Sequence, residues 1–204
     1  MHNFQALLVM ARTAEISRTT RETEIELAVD LDGGEIQAAT GIGFFDHMLE
    51  SLGRHAALGL RVDAKGDLET GGHHTVEDVG IALGQALDDA LGDRAGIRRY
   101  GSAEVPMDEA LGVCAIDVSG RPLCLFQAEI PLTSIAGFET ELTEEFFRAV
   151  ATNAKLTVHV GTEYGSNAHH MVEACFKAFA RALREAVEID PRERGVPSTK
   201  GTLT

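Results

Sequence analysis

At 204 residues, with 44% apolar and 25% charged residues, the chain has room for one large domain or two of about 100 residues and the composition of a globular protein. Eighteen basic residues against 32 acidic ones leave a formal charge of −14, which excludes a nucleic-acid phosphate backbone as a natural partner; any anionic ligand must be met by a local basic cluster. The longest apolar run near the start, 6–11, is far below the roughly 20 residues of a membrane span and follows no basic residue as an export signal would, so a cytoplasmic protein is expected.

Residues 1–11 read as an N-terminal extension. From Thr13 the chain alternates as strands do, with Ile25, Leu27, Val29 and Leu31 on one face and Glu24, Glu26 and Asp30 opposite. An Asp32-Gly33-Gly34 turn and a return strand from Glu35 to Thr40 predict a hairpin. A helix is expected from Phe44 to Ala57, then a strand over Leu58 to Val62. A second helix begins near His73 and places Val76, Val79, Leu83, Leu87 and Leu91 on one face. The order then repeats. Strand residues Leu111, Val113, Ala115 and Ile116 to Val118 lead into a Ser119-Gly120 turn and a strand from Leu123 to Ala128. A helix over Glu141 to Ala154, a strand over Leu156 to Val160 and a helix burying Val172, Cys175, Phe176, Phe179, Leu183 and Val187 complete it. The pattern predicts an α+β fold built from a duplicated strand-helix-strand-helix unit, 12–98 and 99–204, with two sheets packed through their helices. Gly33 and Gly120 lie 87 residues apart, as do Glu22 and Glu109, so the second copy carries about nine extra residues before its His-His pair. Cys114, Cys124 and Cys175, odd in number and without Cys-x-x-Cys spacing, read as buried free thiols.

The duplication carries chemistry. His73-His74-Thr75-Val76-Glu77 is answered 96 residues on by His169-His170-Met171-Val172-Glu173, each at the head of an apolar helical pattern. On a helix, residues three and four apart share a face, so either His of a pair can chelate an ion together with the Glu. Adjacent histidines point about 100° apart, which leaves the second ring of each pair free for another ion. His47 and His159 are the further candidates, giving six imidazoles and two carboxylates for two metal sites. His159, between Val158 and Val160, is shown by alternation only to face away from them. His2 and His55 have no such support.

The basic residues that could hold a phosphate are Arg99 at the junction of the copies, Arg121 in the Ser119-Gly120-Arg121-Pro122 turn, Lys177 one turn after Glu173, and Lys200 beside Ser198 in the terminal Pro197-Ser198-Thr199-Lys200-Gly201 run.

Taken together, Arg18-Thr19-Thr20-Arg21-Glu22-Thr23, Gly43-Phe44-Phe45-Asp46-His47-Met48-Leu49, the two His-His-x-x-Glu heads with Asp78, Ser119-Gly120-Arg121-Pro122 and Pro197-Ser198-Thr199-Lys200-Gly201 resemble the imidazoleglycerol-phosphate dehydratase family from Arg12 onward. The resemblance implies a duplicated fold of the ribosomal protein S5 domain 2-like type, two Mn(II) ions per active site and a 24-subunit homo-oligomer whose sites are completed between subunits. It implies His47, His73, His74, Glu77, His159, His169, His170 and Glu173 as metal ligands, and Arg99, Arg121, Lys177, Ser198 and Lys200 as substrate-binding residues. It places Glu22 in contact with substrate as an acid–base carboxylate, with Glu173 a second candidate. The implied reaction dehydrates imidazole glycerol phosphate to imidazole acetol phosphate in histidine biosynthesis, through an imidazolate held by the two metals. Two departures stand out: Glu50-Ser51 where many members have Asp-Gln, and Gly71-Gly72 in place of an acidic pair, which softens the entry to the second helix.

Two other readings compete. A dinuclear metallohydrolase would need carboxylates bridging metals about 3.5 to 4 Å apart, and this chain supplies imidazoles instead. A metal-binding shell protein leaves Arg99, Arg121, Lys177 and Lys200 without a purpose.

Overall fold

A computed structural model describes residues 11–203; His2 and the rest of the predicted extension before Ala11 lie outside the described residues. Strands β1 (Thr13–Thr19) and β2 (Thr23–Asp30) pair antiparallel with Ile16 opposite Leu27. Then follow β3 (Ile36–Ala39), helix α1 (Gly43–Ala56), β4 (Gly59–Gly66) and helix α2 (His73–Leu91). The second copy runs β5 (Tyr100–Met107), β6 (Ala110–Asp117), β7 (Leu123–Gln127), a small hairpin of β8 (Ser134–Ile135) and β9 (Phe138–Glu139), α3 (Leu142–Asn153), β10 (Thr157–Tyr164) and α4 (Ala168–Val187). The two large sheets have matching orders, β1-β2-β4-β3 and β5-β6-β10-β7, so the duplicated α+β unit predicted from the repeat is the observed one.

Three details differ from expectation. The Asp32-Gly33-Gly34 turn does not close a hairpin: β4 lies between β2 and β3, antiparallel to the first and parallel to the second. Leu60, Val62 and Ala64 are all buried, so β4 belongs at the sheet centre. Gly33 and Gly34, at φ 107° and 155°, carry the chain past its start, where a Cβ on Gly59 would lie 3.1 Å from the Gly34 Cα. Strand β5 is not among the predicted strands: its inward residues Gly101, Ala103, Val105 and Met107 do alternate, but the first two are small and Pro106 interrupts the run. It and β6 are strands because α4 lies directly on them: a Cβ at Gly101 would come 2.0 Å from the Ala182 carbonyl oxygen, and one at Gly112 2.3 Å from that of Ala174. On β6, accordingly, Cys114 and Ile116 face the helices, and Leu111, Val113 and Ala115 face outward. The extra residues of the second copy are the β8–β9 hairpin, whose Phe138 is fully buried.

Helices cover one face of each sheet and meet in the middle. α2 lies on β1 and β2, α4 on β5 and β6; α2 packs against α3, and α1 against α4. Phe146, Phe147, Phe176 and Phe179 form one ring cluster between the helix layers, with Phe146 and Phe176 stacked at 5.0 Å. Among the described residues, no helix is long and apolar enough to cross a membrane.

The four helices start at one end of the molecule. The Phe44 ring of α1 meets Phe138, just ahead of α3, at 5.6 Å and His169 of α4 at 4.9 Å. At Gly72, ahead of α2, a Cβ would touch Ile42 and Leu142. The helix ends gather at the opposite pole. Arg94, buried beyond α2, donates to the carbonyls of Ala154 and Leu203, and the Arg99 amide donates to the carbonyl of Ala186. The length of α2 alone, 19 residues, separates the poles by about 27 Å.

Candidate functional site

Both His-His-x-x-Glu heads stand at the pole where the helices begin. In the first, His73 Nε2 faces the Glu77 carboxylate at 3.6 Å, one turn along α2. The His74 ring turns the other way, as the helical repeat requires, and its Nδ1 lies 3.1 Å from both oxygens of Asp67. Its Nε2 faces Glu22, in the β1–β2 turn, at 3.8 Å. That turn is fastened to α2: Thr23 Oγ1 donates to the buried Asp78 at 2.5 Å, and Arg18 pairs with the same carboxylate at 2.8 Å. Among the described residues the Glu22 carboxylate meets only His74.

The second head repeats this geometry with more burial. His169 Nε2 lies 3.2 Å from Glu173, whose other oxygen is 2.7 Å from Lys177 Nζ and 3.9 Å from His47 of α1. Glu173 is 6% exposed; burial raises its pKa, and the Lys177 ammonium outweighs that and leaves it below the ordinary carboxylate value. His170 Nδ1 lies 2.7 Å from Glu109 in the β5–β6 turn, and its Nε2 lies 3.5 Å from Asp108. Asn167 caps α4 by accepting the His169 amide at 2.9 Å. α2 begins at Gly72 with no side-chain cap, the softened entry expected of Gly71-Gly72.

The rings and their carboxylates stabilise one another's charged forms. Asp67 holds the His74 pKa above its ordinary value, and Glu109 does the same for His170. Glu109 itself is held far below the usual carboxylate range by His170 first and then by the Asn167 and Ser166 amides. Asp67, Asp108 and Glu109 were not singled out in the sequence as part of the site. The equal spacing of Glu22 and Glu109 within the repeat was the available signal.

Not every candidate comes to this pole. His159 lies on the outer face of the second sheet, paired with Ala115 and Leu125 and turned away from the helices. Arg99, Arg121, Ser198 and Lys200 belong to the opposite pole. The Arg99 guanidinium is held by Asp117 at 2.7 Å, which raises its pKa, and by the Pro197 carbonyl at 2.9 Å, so it fastens the tail that carries Ser198 and Lys200. Arg121, 64% exposed, has Asp117 at 3.9 Å, donates to the Ser119 carbonyl at 3.3 Å and otherwise faces solvent. Strand β6 spans the gap, from Ala110 beside Glu109 to Asp117, and its eight residues extend roughly 23 Å. Only Lys177 of the basic set lies with the histidines. Among the described residues, no three His, Cys, Asp or Glu side chains of one chain converge to hold a metal ion. His55 ends α1, where burial first and then Lys177 and Arg181 hold its pKa below the ordinary value.

The three cysteines are free, and burial pushes the Cys124 thiol up to about 11 and Cys175 to about 12.

Comparison with known proteins gives consistent results. Residues 40–183 match the family profile described as imidazoleglycerol-phosphate dehydratase. A relative of that name from Geobacter metallireducens is 54% identical over 195 residues, covering 95% of this chain and 100% of its own length. One from Nitrobacter hamburgensis is 58% identical over 194 residues, covering 94% and 98%. Among solved structures, the Staphylococcus aureus imidazoleglycerol-phosphate dehydratase superposes with TM-score 0.80 at 40% identity, covering 87% of this chain and 99% of that one. The IGPD of Pyrococcus furiosus gives TM-score 0.79 at 37% identity, covering 92% and 100%.

Proposed function

Because the chain belongs to the imidazoleglycerol-phosphate dehydratase family, and so to the hydro-lyases, we propose that it removes water from imidazole glycerol phosphate to give imidazole acetol phosphate in histidine biosynthesis. The observation that carries this reading is the pair of His-His-x-x-Glu heads at one pole, each with its rings already set against carboxylates. Imidazole and carboxylate donors together suit a divalent ion such as Mn(II), and the reading assigns two per active site to His47, His73, His74, Glu77, His159, His169, His170 and Glu173. Such ions, when bound, would supply Lewis acidity at the two nitrogens of the substrate ring and so assist departure of the adjacent hydroxyl.

Neither reacting carbon of the substrate is flanked by a carbonyl, so proton removal needs a placed base. Glu22 fits that task. It is half exposed, anchored through Thr23 and Asp78, and engaged by His74 alone among the described residues, at 3.8 Å. Glu173, the second candidate, is committed to Lys177 and His169 and would have to leave them to move a proton. Arg121, in the β6–β7 turn, would bind the phosphate together with Ser198 and Lys200 on the tail that Arg99 fastens, with Lys177 supplying charge beside the ring.

The distance between poles gives the reading its quaternary consequence. A single ring, a short carbon chain and a phosphate cannot span roughly 23 Å of β6, so the phosphate clamp at one chain's head must come from another chain. The outward position of His159 fits the same arrangement. A homo-oligomer follows, which the family resemblance puts at 24 subunits, with the two copies 12–98 and 99–204 contributing one head each. The test is direct: the assembled protein, given Mn(II) and imidazole glycerol phosphate, yields a product lighter by one water. Unchanged substrate under those conditions would overturn the assignment.

A further inference from the structure

Each inner histidine sits between two carboxylates, and the two copies supply the partner on Nδ1 from positions that do not correspond. His74 has Asp67 on Nδ1 and Glu22 on the Nε2 side. His170 has Glu109 on Nδ1 and Asp108 on the Nε2 side. Asp67 sits just before the short 3-10 turn that leads into α2, whereas Glu109 belongs to the β5–β6 turn, where the first copy has Glu22. The acceptor on Nδ1 is therefore constant while its source is not.

We propose that Asp67 and Glu109 are positioning residues that fix His74 and His170 in the Nδ1–H tautomer, leaving each Nε2 lone pair free to bind metal. A carboxylate only accepts hydrogen bonds, so a neutral ring bonded to it through Nδ1 carries its proton there. Both carboxylates are themselves held. Asp67 Oδ2 accepts from Thr70 Oγ1 at 3.0 Å. Glu109 Oε1 accepts from the Asn167 amide at 2.7 Å, the Ser166 amide at 3.0 Å and Ser166 Oγ at 3.3 Å. Glu109 thus ties the approach to α4 and the orientation of His170 to one group. The division of labour also frees Glu22, which in the second copy's arrangement would be occupied.

This assignment rests on the reading above for the purpose of the rings, but the tautomer itself can be measured without metal. Glu109→Gln keeps an oxygen for the Ser166 and Asn167 amides and turns an NH2 toward His170. Asp67→Asn likewise keeps an oxygen for Thr70 and turns an NH2 toward His74. A donor facing Nδ1 demands an acceptor there and moves the proton to Nε2.

The experiment uses the metal-free, assembled full-length protein with 15N-labelled histidine. Solid-state NMR separates protonated from bare ring nitrogens, and Mn(II) titration followed by the EPR signal of free Mn(II) gives affinity. At a pH high enough for the rings to be neutral, wild type should show His74 and His170 as Nδ1–H, and each variant should convert its own ring to Nε2–H. Each should also lose roughly 10- to 100-fold in affinity for one bound ion, the usual effect of removing a partner behind a ligand. Ring populations unchanged in both variants would overturn the proposal. Converted tautomers in a protein that binds no Mn(II) would uphold it and instead contradict the metal reading of the function.

Discussion

The two copies of the repeat place the same motif in unequal surroundings. In the second head Glu173 is buried, paired with Lys177 and approached by His47, because α1 packs its first turn against α4 and Phe44 lies edge-on to His169. In the first head His73 and Glu77 stand 56% and 46% exposed, with no lysine and no capping side chain. Duplication preserved the His-His-x-x-Glu spacing and let the supporting contacts diverge. The second head is thereby built as a rigid holder. The first leaves Glu22 with His74 alone, at 3.8 Å, among the described residues, which suits the proton transfer proposed for it.

The largest expected effect tests that asymmetry. Glu22→Gln should keep metal and assembly while turnover falls by about 10² to 10⁴, the usual contribution of a general acid–base group. Steady-state assays alongside elemental analysis would check it, and near-normal turnover would remove Glu22 from the chemistry.

The pole opposite the heads should respond differently. Arg121→Ala is expected to weaken substrate binding by about 1.5 to 3 kcal/mol, the range for hydrogen bonds to charged groups, with metal content unchanged. Lys65→Ala, exposed on β4 opposite Glu24, at the other end of the molecule from Arg121 and outside the basic cluster, is the control. Equal and mild effects of the two in substrate titrations would place the phosphate elsewhere.

A smaller effect separates the two helix starts. Asn167→Ala removes the cap that accepts the His169 and His170 amides and should lower stability by about 1 kcal/mol. Gly72→Ala removes no cap. Its added methyl meets Ile42 Cδ1 at 3.1 Å, a side-chain end that can shift, so thermal unfolding should change less. A reversed order would show that the second head does not draw its rigidity from Asn167.

How far all this was legible in the sequence follows from the range of each interaction. α2 and α4 were readable because Val76 to Leu91 and Val172 to Val187 repeat at helical spacing and are buried as that spacing demands. The heads were readable for the same reason. The pairing of β3 with β4 was not, since Gly33-Gly34 looks the same whether it closes a hairpin or carries the chain across a neighbouring strand. Strand β5 is hard to see in the sequence because the inward residues of its alternation begin with Gly101 and Ala103, too small to stand out, and Pro106 interrupts the run. Asp67 and Glu109 escaped notice because turn carboxylates meet His74 and His170 only after the sheets and helices are assembled. The separation of Arg121 and Lys200 from the histidines is a property of the folded length of β6 and α2.

That separation makes the claim that active sites are shared between chains the one most open to a decisive experiment. Glu22→Gln, defective at the head, and Arg121→Ala, defective at the opposite pole, are each expected to be impaired alone. Dissociating the two proteins, mixing them and reassembling them puts an intact head of one chain beside an intact clamp of another. The account predicts that the mixture regains activity well above either variant treated the same way. A mixture no more active than its parents, under conditions in which dissociated wild type recovers fully, would contradict it.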